Sequence, residues 1–212
     1  LVFRRSFDKI VTMARPKRQE ARRTQLMEAA RRAVVERGLV DLRLGDVAEK
    51  AGLSPGSVLY YFPTLPALLR EVQREAMGRF CTAREEAVRD EPDPRERLLA
   101  MIMSGLPEGP GDELAYLLYE LGAFARKDAA YAARYIELYQ RQVTIYVGIL
   151  EAGAAIGTFR LAGDALTIAR NIVTLEDGYG LHMTMAVPTC EPAEAARQII
   201  AYASAVTGCE LT

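Results

Sequence analysis

The chain has 212 residues, half of them hydrophobic and 26% charged, with a formal net charge of -1, so it can bury a substantial core and does not have the composition of a disordered segment. No apolar run reaches the roughly 18 residues needed to cross a bilayer, and a single histidine, His182, removes most His-based metal sites. Cys81, Cys190 and Cys209 lack metal or redox spacing, which points to reduced thiols in a cytoplasmic protein rather than a disulfide framework.

The small net charge conceals an asymmetry. Residues 1–62 carry 13 Lys and Arg against 7 Asp and Glu, whereas residues 63–212 carry 14 against 21. A basic first third suits an anionic partner, because Lys and Arg that neutralise phosphates release counterions and supply affinity whatever the base sequence.

In chain order, residues 1–12 place arginines beside apolar residues without the apolar core or cleavage site of a signal peptide. They read as an upstream extension, expected to be poorly ordered, and Met13 opens a basic arm, MARPKR. The spacing of Leu26, Ala29, Ala30, Ala33 and Val34 predicts a helix over 19–37, stopped by Gly38. A short helix is predicted over 44–51, with Gly52 as its stop. Ser54 as N-cap and Pro55 at the first helical position begin a third helix that ends at Phe62-Pro63. Thr64 and Pro66 repeat that signal for a long fourth helix to about Arg89. Further helices are predicted over 93–105, 112–126, 128–153, 162–186 and 191–207, which makes the fold all-α, with about nine helices.

Two short helices joined by a tight Gly-containing turn form a helix-turn-helix, whose second helix can enter the major groove of DNA. Ala48 is small where the helices cross, and Val47, Leu53 and Val58 cover the inner face. The stretch from Arg22 through Leu69, with GLVDLRLGDVAEKAGLSPGSVLYYFPTLPALL at its heart, resembles the DNA-binding domain of TetR-family transcriptional repressors. That resemblance implies a DNA-binding domain at 13–64, a divergent ligand-binding and dimerisation domain at 65–212, and a homodimer that leaves a palindromic operator when a small molecule binds.

Carried onto this chain, the resemblance places Ser54, Pro55, Gly56 and Ser57 at the start of the recognition helix and Tyr60 on a backbone phosphate. Tyr61 and Thr64 follow, Tyr61 as a partly structural residue. Three positions depart from the family pattern: Leu42-Arg43 replaces a hydroxyl residue before the second helix, Pro55 stands where Lys is common, and Leu65 replaces a frequent phosphate-contacting Lys. Arg43 and the arm residues Arg15, Lys17 and Arg18 are the candidate compensating contacts.

The remaining chain is acidic and rich in tyrosine. Tyr116 and Tyr119 share one helical face, and Tyr135 and Tyr139 lie on a drifting stripe of another. Such tyrosines need hydroxyl partners when buried and suit a mostly apolar cavity with a few polar groups. Glu120 and Asp177 sit among apolar neighbours, and a carboxylate facing a cavity must be paired, protonated or matched by a cationic ligand. The candidate ligand residues are Met103, Tyr116, Tyr119, Glu120, Tyr135, Tyr139, Asp177 and His182, the effector a cation or an aromatic molecule, with no cofactor and no metal expected. In the resembled family the last two helices pair with their symmetry mates, which would set two recognition helices about 34 Å or a multiple apart. The alternatives are an architectural DNA-binding protein with a solid core and, from another class, a helical enzyme, for which no metal motif or phosphate loop is present.

Overall fold

The structure, a computed structural model, describes the backbone of residues 2–212 and the side chains of residues 18–212. The extension expected at 1–12 and the contacts expected of Arg15 and Lys17 rest on side chains outside that set. Nine α-helices and one 3-10 turn account for the regular structure, with no strand among the described residues. The chain divides into two compact units, 1–73 and 74–212.

In the first unit, α1 (Val2–Arg37) contains the helix expected over 19–37, followed by α2 (Leu44–Ala51), α3 (Pro55–Tyr61) and the start of α4 (Leu65–Arg89). Leu26, Ala29, Ala30, Ala33 and Val34 are fully buried, as are Val47 and Val58, and Ala48 and Phe62 nearly so. The alanines let the helix backbones approach closely. Gly52 takes φ 64°, and its N–H and that of Leu53 donate to Glu49 O (3.0 Å) and Ala48 O (2.9 Å), a left-handed stop that turns the chain into α3. Arg43 offers no side-chain cap to α2, and only the reciprocal half of a capping box forms: the Arg43 backbone N–H donates to Asp46 Oδ2 at 2.7 Å, and Arg37 pairs with Asp46 Oδ1 at 2.7 Å. From α1, Gln25 Nε2 donates to Ala51 O (3.1 Å), and Arg23 donates to Tyr61 O (2.9 Å) while its guanidinium lies 4.3 Å over the Phe62 ring. These bonds satisfy carbonyls at the ends of α2 and α3 and fix both short helices on α1.

The second unit comprises the rest of α4, then α5 (Pro94–Gly105), α6 (Glu113–Gly122), a 3-10 turn (Ala123–Arg126), α7 (Ala129–Ala155), α8 (Ala165–Thr184) and α9 (Pro192–Thr207). The helix expected over 112–126 is therefore divided, its last turn tightening to 3-10 geometry. Leu98, Met101 and Ile102 of α5, Ile149 and Leu150 of α7, Ile168, Ile172 and Val173 of α8 and Ile199 of α9 form one core. Asp93, Asp112, Asp128 and Asp164 each cap a helix by accepting from its first free N–H groups. Part of the acidic excess of this region is thus used for capping. Cys81, Cys190 and Cys209 are free thiols.

Candidate functional site

On the helix-turn-helix, α3 divides by face. Val58 is buried, while Ser54, Pro55 and Gly56 are exposed and Leu59 and Tyr60 project at 46% and 69% exposure. Ser54 Oγ accepts from the Ser57 N–H at 3.2 Å and lies 2.9 Å from Ser57 Oγ, so the two hydroxyls order one another at the helix start. A Cβ on Gly56 would meet nothing nearer than Ser54 Oγ at 4.0 Å. No atom of the protein requires glycine there, and the open side faces outward. The Tyr60 ring stands edge-on to Tyr61 at 5.0 Å, and its hydroxyl has no partner among the described residues. Thr64 Oγ1 accepts from Ala67 N–H at 3.2 Å and so caps α4. The Arg18 and Arg43 side chains are exposed.

In the second unit, a cavity of about 280 Å³ opens among α4, α5, α6, α7 and α8. Four of the eight candidate ligand residues line it: Met103, Tyr119, Tyr135 and Asp177. The other four do not. Tyr116 and Glu120 sit on α6 beside the face that carries Ala115, Leu118 and Tyr119 to the cavity; Tyr139 packs on the main core; His182 is exposed near the end of α8. Periodicity placed these residues on helices correctly but left the rotation of each helix undetermined.

The lining is acidic and aromatic. Glu108, Asp112 and Asp177 contribute carboxylates and Phe80, Tyr119 and Tyr135 rings, and no Lys, Arg or His lines the cavity. The Asp112 carboxylate is engaged, since its Oδ2 accepts from the Glu108 backbone N–H at 3.1 Å and its Oδ1 caps α6. The Asp177 carboxylate makes no ion pair among the described residues, and its pKa is raised to about 6 by burial and by neighbouring Glu176, with Arg84 opposing. Tyr119 donates to Asp177 O at 3.2 Å. Gly180 permits this, because a Cβ there would fall 2.2 Å from the Tyr119 hydroxyl oxygen. Burial, with Asp177 second, pushes the phenols of Tyr119 and Tyr135 upward, so both remain neutral.

Behind the cavity wall lies a cluster absent from the sequence reading. Arg84 of α4 and Glu176 of α8 are 1% and 2% exposed, and Arg84 Nη2 donates to both Glu176 carboxylate oxygens at 3.0 Å and to the Tyr146 hydroxyl of α7 at 3.2 Å. Tyr146 in turn donates to Glu176 Oε1. Burial opposes the Arg84 charge, but Glu176 and Tyr146 raise its pKa, so it stays protonated. Gly105 leaves room for the pair: a Cβ there would lie 2.0 Å from Arg84 Nη1 and 2.3 Å from Glu176 Oε1. Arg84 Nε and Nη1 have no hydrogen-bond partner among the described residues.

Comparison with known proteins places both units. Residues 26–72 match the model described as bacterial regulatory proteins, tetR family, and residues 94–208, more than half the chain, match the BetI-type transcriptional repressor C-terminal model. The fatty acid metabolism regulator protein of Bacillus subtilis is 22% identical over 157 residues, covering 74% of this chain and 80% of that protein. The regulator BetI of Burkholderia ambifaria is 33% identical over 91 residues, covering 42% of this chain and 47% of that one. A transcriptional regulator from Saccharomonospora viridis, solved in complex with choline, superposes with a TM-score of 0.78 at 24% identity over 85% of this chain and 93% of its own.

Proposed function

We propose, from the premise that the chain belongs to the TetR family of bacterial transcriptional regulators, that its effector is a small organic cation bound in the α4–α8 cavity. The protein is a ligand-responsive repressor, and the cation is the finer reading. The observation that carries it is the lining: three carboxylates, three aromatic rings and no basic side chain, with Asp177 half-buried and lacking a counter-ion. A buried carboxylate without a partner is costly, and a cation held between it and aromatic faces supplies both charge compensation and cation–π attraction. The choline complex of the Saccharomonospora viridis protein supports a quaternary ammonium group. The presence of a cavity favours this over an architectural protein with a solid core.

The test is calorimetric titration with choline and with 3,3-dimethylbutan-1-ol, its uncharged isostere. The expected result is saturable choline binding at least about tenfold tighter than that of the alcohol; equal affinities would refute the charge-based reading.

For DNA, α3 is proposed to enter the major groove with Ser54, Pro55, Gly56 and Ser57 facing base edges or phosphates, and Tyr60, Arg43 and the arm residues Arg15, Lys17 and Arg18 on the backbone. Tyr61 and Thr64 position that edge, the first through its carbonyl bond to Arg23 and the second as a cap. Pairing of two copies through α8 and α9, supported by the exposure of Leu166 on α8 at 43% and of Met185 just past its end at 66%, would present two such helices to a palindromic operator. Arg43→Ala is expected to weaken binding to all duplexes alike and to reduce the slope of log K against log salt by about 1. An unchanged slope in fluorescence anisotropy would remove Arg43 from the contact set.

A further inference from the structure

Most of the buried or half-buried polar side chains that line the α4–α8 cavity are already engaged within the protein. Ser104 donates to Met101 O at 2.8 Å, Tyr119 donates to Asp177 O at 3.2 Å, and Asp112 accepts from backbone N–H groups. Gln142 of α7 is different. It lines the cavity and is only 5% exposed, yet its amide makes no hydrogen bond among the described residues. Nor is that amide sealed in the packing, in contrast to Gln73, whose Nε2 and Oε1 are enclosed without partners. The small part of Gln142 that remains accessible faces the cavity it lines.

The register of α7 explains this placement. Tyr135, Leu138 and Gln142, at i, i+3 and i+7, share the face turned to the cavity. One turn further on, Tyr146 is fully buried and bonded to Arg84 and Glu176. Gln142 therefore stands where that face passes from cavity into core, about 10 Å along the helix axis from Tyr135. An apolar side chain would suit such a position better, because a buried amide without a partner costs stability. We propose, resting on the cation reading of this cavity, that Gln142 is a specificity-determining residue: it hydrogen-bonds a hydroxyl on the bound organic cation and so selects hydroxylated cations over their alkyl counterparts. A hydroxyl both donates and accepts, so it satisfies the amide in either orientation. An alkyl group in the same place strips the amide of water and returns no hydrogen bond. At about 280 Å³ the cavity is at the small end of ligand sites, so a cation seated against Asp177 also reaches a second wall.

The experiment is calorimetric titration of the full chain with choline and with propyltrimethylammonium, which keeps the charge and replaces the hydroxyl by a methyl group. The parent protein is expected to bind choline at least about fivefold tighter. An apolar wall would give the reverse order, because burying the extra methyl group is favourable and burying an unpaired hydroxyl is not. In Gln142→Leu the two affinities should come within about twofold of each other, choline weakening while propyltrimethylammonium holds or gains. The thermal midpoint of that variant without ligand should be equal to or above that of the parent, since no protein hydrogen bond is lost; Gln142→Met, unbranched and of similar length, serves as the second apolar replacement. The proposal is overturned if the parent binds both cations alike, if the variants keep the preference for choline, or if they weaken both cations equally. Failure of the cation reading looks different: choline and uncharged 3,3-dimethylbutan-1-ol then bind equally, and because both carry the hydroxyl, Gln142→Leu weakens both. Failure of the Gln142 reading alone leaves choline tighter than the alcohol and equal to propyltrimethylammonium.

Discussion

Arg84→Met will destabilise the second unit by about 3–5 kcal/mol, because it leaves Glu176 as an unpaired carboxylate in the core. The expected readout is a fall in the urea midpoint with an unchanged slope. The contrast with a double replacement is as informative. In Arg84→Met/Glu176→Leu both charges go, and the Nε and Nη1 groups that lack partners go with them. Buried ion pairs exchanged for apolar side chains of similar volume are often neutral or stabilising, so the double variant is expected to recover most of the loss, with the Tyr146 hydroxyl, which bonds both partners, accounting for the remainder. A double variant as unstable as the single would show that the pair itself, rather than the isolated charge, dominates.

Asp177→Asn is expected to lower affinity for choline by about 30-fold or more, corresponding to the 2–5 kcal/mol range for removing one partner of a buried charge pair, with little loss of stability because the native carboxylate has no ion-pair partner to lose. The sign of the pH dependence follows from the same residue. Burial raises the Asp177 pKa to about 6, so the free protein carries the charge above that value and loses it below. Cation affinity should be level above pH 7 and fall as pH drops through 6, approaching tenfold per unit at the acid end. In Asp177→Asn the profile between pH 5 and 7 should be flat. An unaltered profile in that variant would assign the titration to another group.

Helix boundaries were readable where local chemistry sets them. Ser54-Pro55, Asp93-Pro94 and Glu191-Pro192 each place a cap or flanking residue before a proline that fits the first helical turn, and the expected starts agree with the structure. Gly52 was legible for the same reason, since few residues accept its positive φ. The end of α6 was not, because nothing in ELGAFARK marks the change from α to 3-10 geometry.

The cavity was legible in its residue types and not in its membership. Asp177 drew attention as an acid among apolar residues. Glu176, one position earlier and about 100° round the helix, points into the core and passed unnoticed. Its partners Arg84 and Tyr146 lie 92 and 30 residues away, and only the packing of α4, α7 and α8 brings them together. Gly105 and Gly180, which leave room for these side chains, had no local signal at all.

The central claim is that a cation seated against Asp177 removes the repressor from its DNA. Its most direct test is an operator-release titration: an operator selected from random duplexes, labelled and bound by the protein at pH 7.5, is titrated with choline while anisotropy is followed. Release from the parent protein is expected and, in Asp177→Asn, unchanged operator affinity with release displaced to at least about 30-fold higher choline. Release at the same choline concentration in both proteins would contradict it.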